Sequence, residues 1–212
     1  MPIHERYEHG TPSWIDISTI DVGGSKAFYA GLFGWSWQDL IDADGCFVYS
    51  IGSKDGRVVC GLNPVSPDRT DTGVSAVLNT YLAVRSVDAV YAAALEAGAK
   101  GLVEPFDMMD AGRVAFIADD QGARVGLWQA GVLKGAELVN EPGVYTWAEL
   151  LTPDTGKAVN FYATIVGMGT EARNTVETNY TTFTVEGRVV GGVMPSPSQE
   201  VPPHWRVYFG VP

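Results

Sequence analysis

Two carboxylates set among apolar residues are the groups in this chain best placed to do chemistry. In Trp14-Ile15-Asp16-Ile17-Ser18 polar and apolar side chains alternate, the pattern of a strand covered on one face. Ile15 and Ile17 then turn one way, and Trp14, Asp16 and Ser18 the other. Further along, Glu149 stands where Asp16 stands and Trp147 where Trp14 stands. A buried carboxylate costs several kcal/mol unless it is paired or hydrogen bonded, so each needs a partner. Arg124 or a backbone donor is expected to serve Asp16, and Arg206 to bridge to Glu149. Strand parity adds Asn79, Tyr81, Arg124 and Trp128 to the Asp16 face, and Tyr145, His204, Arg206 and Tyr208 to the Glu149 face. Aromatic walls with a few polar anchors suit a flat organic ligand. The same residue types also serve plain core packing at any single position, and it is their recurrence over several strands that carries the binding reading. His204 beside Glu149 would make an acid/base pair, but after Pro202-Pro203 it reads as a solvated or edge histidine. His4 and His9 lie in an unpatterned N-terminal arm.

Other constellations carry less. Asp39, Asp42 and Asp44 precede Gly45 as in a calcium loop, yet the spacing and the closing Glu are absent, and an ordinary turn fits better. Cys60 has no assignable base and reads as a small buried thiol. Gly23-Gly24 at a helix start lacks the Lys and the full glycine-rich loop of a phosphate site. Cys46 and Cys60 are too few for a disulfide scaffold and lack paired metal-ligand spacing, which fits a reducing compartment. A net charge of −11 argues against a nucleic-acid surface. No uninterrupted apolar run approaches membrane-spanning length, and the opening MPIHERYEHG is polar and charged, so neither a span nor a leader is expected. A cytoplasmic location is the default, with leaderless export compatible.

The elements that must position these residues recur. Strand 14–18 is followed by a helix capped by Asp21 and stopped by Gly34, with Ala27, Phe28, Leu32 and Phe33 making its apolar side. Room for a β-run around Trp35 to Leu40 precedes CFVYSIG and RVVCGL, two strands joined by an Asp55-Gly56 turn. A second unit opens with NTYLAV, continues in a helix from Ser86 to Gly98, and closes with RVAFIAD and ARVGLWQ around Asp119 to Gly122. The third repeats the first: Asp21 and Asp154, Phe28-Tyr29 and Phe161-Tyr162, and Gly34 and Gly167 are 133 positions apart, and Gly56-Arg57-Val58-Val59 meets Gly187-Arg188-Val189-Val190 at 131. HWRVYFGV then matches LNTYLAV. A long repeat holding two similar halves fits paired modules better than an open array.

These words resemble a known family. AFYAGLFGW and NFYATIVGM after a strand, with DDQGARVGLWQ closing the second unit, resemble the vicinal oxygen chelate superfamily of glyoxalases, bleomycin-resistance proteins and extradiol dioxygenases. PSWIDISTID, NTYLAV, DAGRVAFIADDQGARVGLWQA and HWRVYF are similar to actinobacterial two-domain members, among them a mycobacterial culture-filtrate antigen and proteins labelled hydroxylases. The similarity runs from about residue 10 to the last residue. The resemblance implies an α+β fold of paired βαβββ modules whose mixed sheets curl into barrel-like cups. It places a first domain at 10–130, a linker at 131–142, and an incomplete second domain at 143–212 with one module and one further strand. In metal-dependent members four His, Gln or Glu ligands come from the first and last strands of the paired modules. Those positions fall here on Trp14, Cys60, Asn79 and Gly126, and in the second pair on Trp147, Gly191 and Arg206. None is a carboxylate or imidazole, and a guanidinium has no lone pair to give. Neither a metal nor another cofactor is therefore expected.

The resulting expectation is a metal-free binder of an aromatic metabolite or drug, with ligand contacts from Trp14, Asp16, Asn79, Tyr81, Arg124 and Trp128 in the first cup and Trp147, Glu149, Arg206 and Tyr208 in the second. The alternatives are a glyoxalase-like lyase or a cofactor-independent oxygenase or hydroxylase, and a non-catalytic antigen-like scaffold. The expected partners are a small molecule and a second copy of the chain, paired through an exposed sheet edge after Val211.

Overall fold

A computed structural model describes residues 4–65, 76–172 and 180–211. Three helices and thirteen strands appear among the described residues. The first module runs β1 (Pro12–Thr19), α1 (Val22–Phe33), β2 (Ser36–Ile41), β3 (Phe47–Lys54) and β4 (Arg57–Pro64). The second runs β5 (Ala76–Ala83), α2 (Val87–Glu96), β6 (Lys100–Met108), β7 (Gly112–Ala118) and β8 (Arg124–Ala130). The third runs β9 (Tyr145–Thr152), α3 (Thr155–Val166), β10 (Gly169–Ala172), β11 (Thr181–Val185) and β12 (Arg188–Pro195). A lone β13 (His204–Phe209) follows.

Local chemistry explains the repeat. Asp21 Oδ1 accepts from the Gly24 amide at 2.8 Å and Asp154 Oδ1 from the Lys157 amide at 3.0 Å, so both first-module-type helices start on an aspartate cap. Both end where Gly34 and Gly167 adopt left-handed φ of 74° and 68°. Asp55-Gly56 and Glu186-Gly187 carry positive φ at both residues, the geometry that matches the twist of a tight hairpin.

The modules pair into two open mixed sheets. Eight strands run β2-β3-β4-β1-β5-β8-β7-β6, and five run β10-β11-β12-β9-β13. In each, the first strand of a module lies parallel to its own last strand and antiparallel to the first strand of the next: β1 with β4 and β5, β9 with β12 and β13. One continuous core on the helix side spans both sheets, from Ile15, Ile17 and Leu82 to Leu150, Tyr162 and Trp205. A hydrogen-bond chain ties the halves: Trp205 Nε1 donates to the Tyr162 hydroxyl at 2.9 Å, which donates to Asp119 Oδ2 at 3.1 Å.

Three expectations need correction. On α1 it is Tyr29 and Phe33 that pack inward, whereas Phe28 and Leu32 are 60% and 57% exposed. The inward face is set by the stacking of Tyr29 on Trp35, with ring centroids 5.2 Å apart, which turns Phe28 and Leu32 away. On β4, Cys60 does not face the cup. The register shifts between the pairs Gly52↔Cys60 and Ser53↔Val58, and the bulge sends both Val59 and Cys60 into the helix-side core and leaves Gly61 facing Asp16. A similar shift in β11–β12 makes Gly192, not Gly191, the glycine opposite Glu149.

Candidate functional site

Asp16 is 1% exposed in the middle of β1 and is the hub of the first cup. Its Oδ2 accepts from the hydroxyl of Tyr81 on β5 and, at 3.4 Å, from that of Tyr49 on β3. Its Oδ1 accepts from Asn79 Nδ2 at 2.7 Å. Asn79 also donates to Ser18 Oγ at 3.0 Å and accepts from Arg124 Nε at 3.2 Å, while the Arg124 guanidinium lies 4.1 Å over the Phe116 ring. Arg124 therefore reaches Asp16 through Asn79 rather than directly, a correction to the expected pairing. The register explains it, because Asn79 lies straight across from Asp16 and Arg124 is one strand further on. Burial pushes the Asp16 pKa up against the opposing pull of Tyr81, Asn79, Arg124 and Tyr49. Burial, then the Asp16 charge, push the Tyr49 and Tyr81 hydroxyls well up, so both remain donors.

Glu149 on β9 repeats the arrangement. It accepts from the Tyr208 hydroxyl at 2.8 Å, and burial together with the nearby Glu149 charge pushes the Tyr180 hydroxyl up. Trp147 Nε1 donates to Tyr180 at 2.9 Å, as Trp14 Nε1 donates to Tyr49 at 3.1 Å. The expected Glu149–Arg206 ion pair does not form: Arg206 is exposed, and its Nη1 comes within 3.4 Å of the Tyr208 hydroxyl. A solvated guanidinium gains little from a surface pair. His204 opens β13 at the sheet edge with Nδ1 2.8 Å from the Pro202 carbonyl oxygen, out of any acid/base arrangement with Glu149.

Tyr49 and Tyr180 are the site residues that sequence reasoning missed. Each sits over a glycine: a Cβ on Gly61 would fall within covalent distance of the Tyr49 hydroxyl, and one on Gly192 would do the same to Tyr180. The signal was available, since both the tyrosines and the glycines are 131 positions apart, like the hairpin glycines between them.

The two cups differ in what covers them. Over the first, Leu133 and Ala136 pack against Trp14, Tyr81 and Trp128. Trp128 Nε1 donates to the Leu133 carbonyl at 3.0 Å, and the Ala136 carbonyl accepts from Tyr7 at 2.6 Å. Trp14, Tyr81 and Trp128 are consequently at most 5% exposed. On the second, Trp147 and Tyr180 are half-buried and Tyr208 is 38% exposed. There Trp147 forms one wall of a pocket of about 420 Å³, with Tyr7, Pro12, Tyr145, Arg188 and Val190 around it.

Comparison with known proteins bears on this geometry. The family profile of the Glyoxalase/Bleomycin resistance protein/Dioxygenase superfamily matches residues 11–127. The chain belongs to that superfamily. It is 41% identical over 212 residues to "Putative glyoxylase CFP32" of Mycobacterium tuberculosis, covering all of this chain and 81% of that protein. It is 31% identical over 217 residues to "Anthracycline biosynthesis protein DauV" of Streptomyces sp., covering 97% of this chain and 78% of the relative. A Mn(II)-bound glyoxalase from Novosphingobium aromaticivorans superposes with a TM-score of 0.61 at 16% identity, over 90% of this chain and 64% of that one. An extradiol ring-cleaving dioxygenase from B.fuscum does so with a TM-score of 0.61 at 13% identity, over 92% of this chain and 55% of that one. At such identities the likeness is one of fold.

A divalent ion of the kind this superfamily implies does not fit the first cup. The Asp16 carboxylate already accepts from two phenols and from the amides of Asn79 and Asn63, all donors that a cation would have to displace. Tyr49 and Tyr81 occupy the space over Gly61 and Gly126, where larger ligating side chains would have to stand. Among the described residues no three His, Cys, Asp or Glu side chains group together. No helix among them is long and apolar enough to cross a membrane.

Proposed function

We propose that this superfamily member binds a planar aromatic small molecule without a divalent ion, in the pocket between the N-terminal arm and the second sheet. The observation that carries the reading is Trp147, which lines a pocket of about 420 Å³ and is held through Nε1 donating to the Tyr180 hydroxyl at 2.9 Å. That volume falls in the range of small-molecule sites. Tyr7 and Tyr145 add flat apolar surface, and Arg188 adds a polar edge. The relative named for anthracycline biosynthesis supports a polycyclic aromatic class. Of the residues expected to contact ligand, Trp147 lines this pocket, whereas Glu149, Arg206 and Tyr208 lie outside its lining. Trp14, Asp16, Asn79, Tyr81, Arg124 and Trp128 serve instead to fill and lock the first cup.

The test is titration of the intact protein with 1,8-dihydroxyanthraquinone, read by tryptophan fluorescence. A saturable quench, lost in Trp147→Ala with the native fold retained in far-ultraviolet circular dichroism, is expected. A quench that never saturates, or one that Trp147→Ala leaves intact, overturns the proposal. A lyase reading draws on the relative named a glyoxylase. Elemental analysis of untagged protein separates the two, since one equivalent of manganese, iron, nickel or zinc would favour the lyase.

A further inference from the structure

The hairpins that open β4 and β12 repeat one another, and what meets them differs. Asp55-Gly56 and Glu186-Gly187 take the same positive φ, and the ladders share one register, Ser53↔Val58 in the first sheet and Thr184↔Val189 in the second, each followed by a shift. In the first sheet the side of Val58 turned away from β3 is filled by the chain itself. The Val58 amide donates to Glu137 Oε2 at 2.9 Å, and the Val58 carbonyl accepts from the Glu137 amide at 2.7 Å. Arg57 lines the same hollow as Glu137. In the second sheet the corresponding groups are the Val189 backbone and the Arg188 guanidinium, and both residues line the pocket of Trp147. There β12 joins β9 only from Gly192↔Glu149 onward, and among the described residues nothing hydrogen bonds to Val189 on that side.

Resting on the aromatic-ligand reading of this pocket, we propose that its ligand carries a carboxylate, which docks on the Val189 amide beside Arg188 as Glu137 docks on the Val58 amide beside Arg57. Charge favours an anion at this place. The chain as a whole carries −11 and repels anions, yet the pocket lining sets His4, Arg6 and Arg188 against Glu8 alone. Neither guanidinium is committed to a strong partner: Arg6 stands 3.5 Å from Glu8 and Arg188 3.8 Å from Glu186, and both arginine side chains are largely solvated, so these pairs are worth little. A carboxylate that accepts from a backbone amide and pairs with a guanidinium gains charge-assisted bonds that a neutral substituent does not. The ring system then lies against Trp147 with its acidic end at the hairpin, which fixes its orientation in the pocket.

Titration of the intact protein with anthraquinone-2-carboxylate and with the matching carboxamide, read by tryptophan fluorescence, tests this. The carboxylate should bind about 10-fold more tightly than the carboxamide. Arg188→Gln should bring the two within about 3-fold of each other, whereas Arg57→Gln on the first hairpin should leave the difference intact. In heteronuclear NMR spectra of the wild type the Val189 amide proton should move downfield on adding the carboxylate, and less so with the carboxamide, a readout that depends on no variant. Equal affinities, a preference that Arg188→Gln leaves intact, or an unmoved Val189 amide overturns the carboxylate site and leaves the aromatic pocket standing. Saturation by neither probe removes the aromatic pocket, and the carboxylate site with it.

Discussion

The two carboxylate clusters use the same parts to different ends. In both, a tryptophan on the first strand donates to a tyrosine hydroxyl, a tyrosine on the neighbouring antiparallel strand donates to the carboxylate, and a glycine makes room. The first is sealed by Leu133 and Ala136 and knitted to Asn79, while the second is left open beside a pocket. Chemically equivalent groups thus hold a fold together where water is excluded and remain available for binding where it is not. Low local dielectric makes the sealed network costly to disturb, and solvent softens the same loss in the open one.

The sharpest way to break the comparison is to remove each carboxylate. Asp16→Ala orphans Tyr81, Tyr49 and Asn79 and should cost about 3 kcal/mol or more in urea unfolding, whereas Glu149→Ala should cost about 1 kcal/mol. Equal losses would mean the open cluster is as structural as the sealed one. Next come the glycines. Gly61→Ala forces Tyr49 out of a closed space at about 2 kcal/mol, while after Gly192→Ala the half-exposed Tyr180 swings outward for less than half of that, as melting curves would read. The pH dependence is smaller still. With the folded pKa of Asp16 raised by burial, the folded chain holds that proton more tightly than the unfolded chain. Its contribution is therefore fully present below the ordinary carboxylate pKa and is lost as pH rises through the raised one. The stability of the wild type relative to Asp16→Asn should accordingly decline as pH rises above the ordinary carboxylate range. A flat difference would show that Tyr81 and Asn79 cancel the burial. The smallest effect is expected from Trp147→Phe, at about 0.5 kcal/mol or less in stability, against about 1 kcal/mol for Trp14→Phe, which strands the Tyr49 hydroxyl in a sealed space.

Much of this was legible in the sequence, because it depends on local signals that repeat. Aspartate caps, left-handed glycines and the 133-residue recurrence define the modules without reference to packing. Alternation along β1 and β9 likewise put Asp16 and Glu149 on the tryptophan faces. What escaped were matters of register and competition. A single bulge in β3–β4 reverses parity and turns Cys60 away, and no periodicity announces it. Asn79 takes precedence over Arg124 because it lies straight across the ladder, which only strand order reveals. Tyr49 lies on β3, a middle strand of its module, outside the first and last strands whose parity points into the cup.

Residues 133–136 have a further consequence. The stretch that stoppers the first cup also leads into β9, so opening that cup pulls on an interior strand of the other sheet. Neither half can loosen alone. Heating should therefore melt the chain in one calorimetric step, with the two sheets behaving as a single thermodynamic unit.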